Sequence, residues 1–231
     1  MPRLGITRTS EQLISLTEIA ASKGIEIIPL PLVVTQAIKF ELTDHLRANP
    51  DWILFTSANG VVCFLKRLEE LNFNLSPETK FGVVGNKTQR ALDRFGYKPV
   101  LVASEAYGQI LFDEFMNQTD KDQSVLYARA EEVVLDPNEL LASAGYNFSD
   151  IICYRSIPNE IPNEVALQMG VNDSILFTAP SSVHSYAQQF NKPESKLIAI
   201  GTTTAKAMEE LGWENIKIMK IADVDKVLEY I

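Results

Sequence analysis

Short apolar runs alternate along the chain with longer stretches in which apolar residues recur every three or four positions. LGIT, IEII, WILF, FGVV, PVLV, SVLY, DIICY, SILF, LIAI and IKIM carry almost no charge. Runs of this kind suit strands buried on both faces, as in parallel sheets covered by helices. Between them, Leu13, Leu16, Ile19 and Ala20 fall at helical spacing. VVCFLKRLEEL, which follows WILF, reads as a helix too. Strand and helix in alternation predict an α/β fold with right-handed crossovers. Ten strands in one sheet is long for 231 residues, so two small doubly wound parallel-sheet domains are expected.

The pattern is written twice. Residues 53–61 read ILFTSANGV and residues 175–183 read ILFTAPSSV, 122 positions on. Downstream of each copy comes an apolar run, a glycine, a Thr-containing turn, a helix, a second glycine and another apolar run. Gly85 thus pairs with Gly201, Thr88 with Thr204 and Gly96 with Gly212. Upstream, Arg8 pairs with Arg129 and Gly24 with Gly145. The chain therefore holds four segments in the order A (1–35), B (50–116), A′ (124–157) and B′ (173–231). PLPLVVTQ at 29–36 and RSIPNEIPN at 155–163 are equivalent connectors, and their prolines predict extended backbone. Either A joins B and A′ joins B′ in series, or B and A′ form an inner domain inserted between A and B′. The repeat is compatible with both.

Composition narrows the class. At 46% hydrophobic and 22% charged residues, the chain reads as a soluble globular protein. No apolar run approaches the roughly 18 residues of a membrane span. MPRLGITRTS lacks the apolar core of a secretory signal, which predicts a cytoplasmic protein. Cys63 and Cys153 have no metal or CxxC spacing and are expected as reduced, buried thiols. The net charge of −9, without a basic stripe, excludes a nucleic-acid binder and means that any anion site must be built locally.

The repeated turns are where such a site is expected, because ligands of open α/β sheets bind beyond the carboxyl ends of strands. Thr56-Ser57-Ala58-Asn59-Gly60 and Thr178-Ala179-Pro180-Ser181-Ser182 each follow a strand and open a helix. So do Gly85-Asn86-Lys87-Thr88 and Gly201-Thr202-Thr203-Thr204. Helix N-termini offer unpaired amides and a partial positive charge to carboxylates or phosphates. The same residues would also serve as ordinary N-caps. No nucleotide-phosphate fingerprint is present. His45 and His184 stand alone, which argues against a metal or a triad. Glu69-Glu70, Glu131-Glu132 and Glu209-Glu210 read as solvated helix faces. Arg8 and Arg129 end the first strands of A and A′, where each either faces a ligand or pairs with a neighbour. Tyr154 and Arg155 lie where DIICY runs into the second connector.

FTSANGV with VVGNKT, LYARAEEV with CYRSIP, and FTAPSSV with IAIGTTTAKAM resemble, in this order and over essentially the whole chain, the uroporphyrinogen-III synthase family. The resemblance implies two α/β domains joined by a two-stranded connection, with the inner one inserted: 1–34 plus 160–231, and 38–153. It implies a cyclising lyase of heme biosynthesis. Hydroxymethylbilane, a polycarboxylate, would lose its hydroxyl and close with inversion of ring D through a spiro-pyrrolenine, without metal or cofactor. The turns of the two domains would face each other across a cleft. Tyr154 matches the tyrosine proposed in the family to assist departure of the hydroxyl. Thr56, Ser57, Thr88, Ser181, Thr203 and Thr204 fall on positions lining the family's cleft. Asn59, Gly60, Asn86, Lys87, Ser182 and Thr202 neighbour them, and Thr178 and Arg129 complete the expected substrate contacts. Ala179 departs from the serine of many relatives, which leaves that turn's hydroxyls to Thr178 and Ser181. A monomer in transient contact with the preceding pathway enzyme is expected. The alternative is a non-enzymatic two-domain sensor of a small anionic metabolite.

Overall fold

The computed structural model describes residues 1–133 and 136–231, with the side chains of all of these except Asn138, Glu139 and Leu167. Each of the ten apolar runs carries a strand. In chain order the strands are β1 (Arg3–Ile6), β2 (Glu26–Pro29), β3 (Val33–Ala37), β4 (Trp52–Phe55), β5 (Lys80–Val83) and β6 (Leu101–Val102). They continue as β7 (Ser124–Ala130), β8 (Asn147–Pro158), β9 (Ser174–Phe177), β10 (Lys196–Ala199) and β11 (Ile216–Ile218). The additional strand, β3, lies in the first proline connector. The helices are α1 (Ile14–Ser22), α2 (Asp44–Arg47), α3 (Ala58–Glu70) and α4 (Gly85–Asp93). After them come α5 (Gly108–Gln118), α6 (Asn163–Leu167), α7 (Pro180–Gln189) and α8 (Thr202–Glu210).

The chain divides into two compact units, Met1–Val34 with Ile157–Ile231, and Thr35–Ser156. The first unit carries a five-stranded sheet in the order β11-β10-β9-β1-β2, parallel throughout. The second carries β3-β8-β7-β4-β5-β6, parallel from β8 to β6. Written from β2 and from β8, the two orders are the same arrangement of repeat segments. A pairs with B′ through β1 and β9, and A′ with B through β4 and β7. The β3–β8 pair is bracketed by Asn159 N donating to Leu32 O (2.9 Å) and Ile38 N donating to Cys153 O (2.9 Å). One partner number rises as the other falls, so this connector ladder is antiparallel.

Burial explains why the apolar runs lack the alternation of half-exposed strands. In β4, Ile53 and Phe55 enter a cluster with Phe64, Leu68 and Phe81, while Trp52 and Leu54 enter one with Leu111, Phe112 and Phe115. In β9, Ile175 and Phe177 face one core and Leu176 the other. Each sheet is therefore covered on both sides. Helix α1 departs slightly from its expected face. Leu13, Leu16 and Ala20 are buried, but Ile19 is 49% exposed. At 3.6 residues per turn, a step of seven from Leu13 returns closer to the same face than a step of six.

The repeat extends to backbone conformation, with one exception. Gly96 and Gly212, which follow α4 and α8, both have positive φ (+82° and +72°). Gly85 and Gly201 do not match: Gly85 has φ +71°, whereas Gly201 is extended at φ −169°. Gly85→Ala is expected to cost about 1–2 kcal/mol, the penalty of placing an L side chain in the left-handed region. A Cβ at Gly201 meets nothing within 4 Å, so Gly201→Ala should stay within about 0.5 kcal/mol of wild type. Urea unfolding of the two variants checks the contrast; equal losses would show that the two turns are energetically alike.

Candidate active site

The turn after β4 is organised by one serine. Ser57 is extended (φ −154°, ψ 151°) and caps α3, its Oγ accepting from Gly60 N at 2.9 Å. The same Oγ lies 2.7 Å from Tyr154 Oη. Glycine suits position 60, because a Cβ there would stand 3.2 Å from Ala128 O and 3.3 Å from Ser57 Oγ. A second hydroxyl–phenol pair stands beside the first, with Thr56 Oγ1 2.6 Å from Tyr127 Oη. Asn59 Nδ2 donates to Thr35 Oγ1 at 2.8 Å, tying the turn to β3.

Tyr154 arrives from β8 and is 9% exposed. Burial raises its pKa above the ordinary phenol value, and the bond to Ser57 opposes this. Burial raises Tyr127 as well, against the Thr56 bond. Both phenols are therefore neutral hydrogen-bonding groups at neutral pH. Behind Tyr154, burial pushes the Cys153 thiol up to about 12, and its Sγ donates to Arg129 O at 3.3 Å. Cys63, also a free thiol, is raised chiefly by burial. Neither cysteine is activated.

The equivalent turn after β9 is built differently. Ala179 occupies the cap position of α7 and makes no side-chain cap, and Pro180 opens the helix. The hydroxyls here converge on Thr7, a residue that sequence reasoning missed. Thr178 N donates to Thr7 Oγ1 (2.9 Å), and Thr178 Oγ1 donates to Thr7 O (3.1 Å). Thr7 Oγ1 donates to Ser182 Oγ (3.1 Å), and Ser182 Oγ donates to Ala179 O (2.7 Å). Thr178 and Ser182 thus hold the turn against the end of β1, while Ser181 is exposed.

Helices α4 and α8 begin without side-chain caps. Thr88 and Thr204 are buried, and Asn86, Lys87, Thr202 and Thr203 are exposed. Arg129 binds Asp150 and donates to Ala130 O (2.9 Å) and Glu131 O (3.1 Å). Among the described residues Arg8 has no such partners. The three glutamate pairs are exposed, and His184 is solvated. Among the described residues no three His, Cys, Asp or Glu side chains converge to hold a metal ion, and no helix is long and apolar enough to cross a membrane. Besides Thr7, sequence reasoning missed Tyr127, Thr35 and the position of Cys153. Tyr127 lies in the apolar run SVLY, where a tyrosine reads as a core residue, and none of the four has a spacing that links it to its partner.

Together the fold and turns define a two-unit parallel α/β protein of the kind that binds ligands at strand ends. Residues 15–229 match the family model described as "Uroporphyrinogen-III synthase HemD". The uroporphyrinogen-III synthase of Chlorobaculum parvum is 28% identical over 173 residues, covering 69% of this chain and 70% of that protein. The porphyrin biosynthesis protein HemD of Ruminiclostridium josui is 26% identical over 240 residues, covering 97% of this chain and 47% of its own length. The crystal structure of uroporphyrinogen-III synthetase from Helicobacter pylori superposes with a TM-score of 0.69 at 20% identity, over 100% of this chain and 98% of that one. The chain belongs to the uroporphyrinogen-III synthase family, cyclising lyases of heme biosynthesis that act on hydroxymethylbilane. Membership favours the synthase reading over the sensor.

Two measurements check this geometry. Thr7→Val leaves Thr178 N without its acceptor and takes one of two bonds from Ser182 Oγ, so it should cost about 1–3 kcal/mol in urea unfolding, whereas Thr7→Ser should retain most of the stability. Ultraviolet titration should show that Tyr127, Tyr154 and Tyr186, all raised by burial, ionise late. Tyr154→Phe should remove one of that late class. The sign follows from linkage. With folded-state values above the unfolded phenol, this contribution to stability is complete below about pH 10 and is lost as pH rises through the folded values.

Proposed function

We propose that this chain closes hydroxymethylbilane to uroporphyrinogen III, with loss of water and inversion of ring D, and that Tyr154 assists departure of the hydroxyl. The observation that supports this role most is the Ser57–Tyr154 contact at the start of α3. Gly60 N–H donates to Ser57 Oγ. With the Ser57 proton directed to Tyr154 Oη, the phenol keeps its own proton for the leaving hydroxyl. The helix amide draws density from the serine oxygen and polarises the chain of bonds. A phenol this far from ionisation acts by donating a hydrogen bond rather than by full proton transfer.

Little further chemical assistance is needed. The electron-rich pyrrole expels its hydroxyl readily, and the free bilane closes unaided to the isomer with ring D not inverted. The protein's task is to hold the ends so that attack falls on the substituted carbon of ring D, giving the spiro-pyrrolenine. Thr56, Ser57, Asn59, Gly60, Asn86, Lys87 and Thr88 of one unit, and Ser181, Thr202, Thr203 and Thr204 of the other, form the proposed substrate turns, and Arg129, bonded to Asp150, braces the end of β7. Thr178 and Ser182 position their turn through Thr7. Where a side chain is buried, the contact falls to the helix amides and exposed neighbours. The reading includes a discontinuous domain of 1–34 plus 160–231 around an inserted domain of 38–153. It also includes a cytoplasmic monomer working without metal or cofactor. A transient contact with the preceding enzyme would shorten the time in which the bilane can close unaided.

The test is a coupled assay from porphobilinogen through freshly made bilane, with isomer analysis of the oxidised product. Wild type should yield isomer III. Tyr154→Phe should lower kcat by roughly tenfold to a hundredfold, at or below the low end for general acid catalysis. Ser57→Ala should move kcat in the same direction by less. Full rate in Tyr154→Phe would remove the tyrosine from the reaction, and wild-type product of isomer I alone would overturn the synthase reading.

A further inference from the structure

Arg8 and Arg129 hold equivalent positions in the repeat, each at the carboxyl end of the first strand of its segment. Arg129 is committed within its own unit. Its guanidinium binds the Asp150 carboxylate and two backbone carbonyls. Arg8 is also half-buried, yet among the described residues its guanidinium makes neither a hydrogen bond nor an ion pair. The carboxylates that face it are those of Asp225 and Asp223, both outside ion-pair reach. Asp223 is in addition engaged as the cap of the next turn, accepting from Asp225 N at 3.1 Å. Burial outweighs these two acids and disfavours the charged form. Its nitrogens are not sealed from solvent, so the guanidinium stays open to an incoming anion, which would give it the charged acceptor it lacks among the described residues.

The surroundings fit an anion. Arg8 directly follows Thr7, which binds the β9 turn through Thr178 and Ser182. The helices that open from β9 and β10 start with no side-chain cap, so their first amides favour negative charge. The chain as a whole is at −9, so attraction must come from a local cation. The planar fork of arginine matches a carboxylate with two parallel bonds.

We propose that Arg8 binds a carboxylate of the bilane and is the cationic substrate contact of the unit formed by Met1–Val34 and Ile157–Ile231. The proposal rests on the synthase reading for the identity of the substrate. Arg8→Gln in the full chain should raise KM about tenfold or more, the effect of losing a charge-assisted pair. Its kcat should stay within about threefold of wild type, and Arg8→Lys should fall between. The urea midpoint of Arg8→Gln should be unchanged or higher, because a half-buried unpaired charge has gone. An unchanged KM in folded Arg8→Gln overturns the proposal. So does a loss of stability in Arg8→Gln that Asp225→Asn reproduces non-additively, since that marks a structural pair. Equilibrium binding of uroporphyrin III, an octacarboxylate, is measured alongside. Should wild type fail to make isomer III, the synthase reading falls, and weaker porphyrin binding by Arg8→Gln still decides the arginine's role: about tenfold weaker supports it and equal affinity ends it.

Discussion

Each sheet is closed by one parallel ladder between segments far apart in the chain, and the rest of the structure depends on it. In the first unit β1 must find β9, with Leu4 opposite Ser174 and Ile6 opposite Leu176. In the second, β4 must find β7. These strands are apolar on both faces, so neither half-sheet can cover itself, and parallel pairing requires a long crossover in any case. The same ladders deliver the turns. Thr7 sits at the end of β1 and fastens the β9 turn, and Tyr127 in the middle of β7 meets Thr56 just past the end of β4. Correct closure and correct placement of the polar groups are one event.

From one inherited turn the repeat has made two local chemistries. At the first, Ser57 caps its helix and binds a phenol, and a glycine at 60 leaves room beside Ala128. At the second, alanine replaces the capping serine, Ser182 stands where Gly60 does, and Thr7 stands where Ala128 does. Hydroxyls there bond one another and the backbone instead of a tyrosine. The first turn holds a phenol against its capping serine and the second is a helix N-terminus braced by Thr7. The arginines diverge in the same way: Arg129 is bound to Asp150, and Arg8 is unpaired among the described residues.

The fold was legible in the sequence where a physical signal is local. Runs almost without charge marked ten strands because burial on both faces removes polar positions, and glycines 96 and 212 marked helix ends because they adopt positive φ. The strand β3 was less legible, since Pro29 and Pro31 before it announce extended backbone but not its partner. Of the candidate site, Ser57 and Tyr154 were legible from motif positions, though not their contact. Thr7, Thr35 and Tyr127 were not legible, because each acts through a partner distant in the chain.

By itself, then, the sequence determined an α/β protein with a doubled pattern, the turns that carry its polar chemistry, and the absence of nucleotide-phosphate fingerprints. Tertiary structure decided which repeat segments share a sheet, since periodicity records how a strand is buried but not against which strand. It also decided which hydroxyls are spent on the fold and which remain exposed, and which of two equivalent arginines has a partner. The reason is the same in each case: a hydrogen bond depends on distance in space, and the two residues that make it can lie more than a hundred positions apart, as Thr7 and Thr178 do.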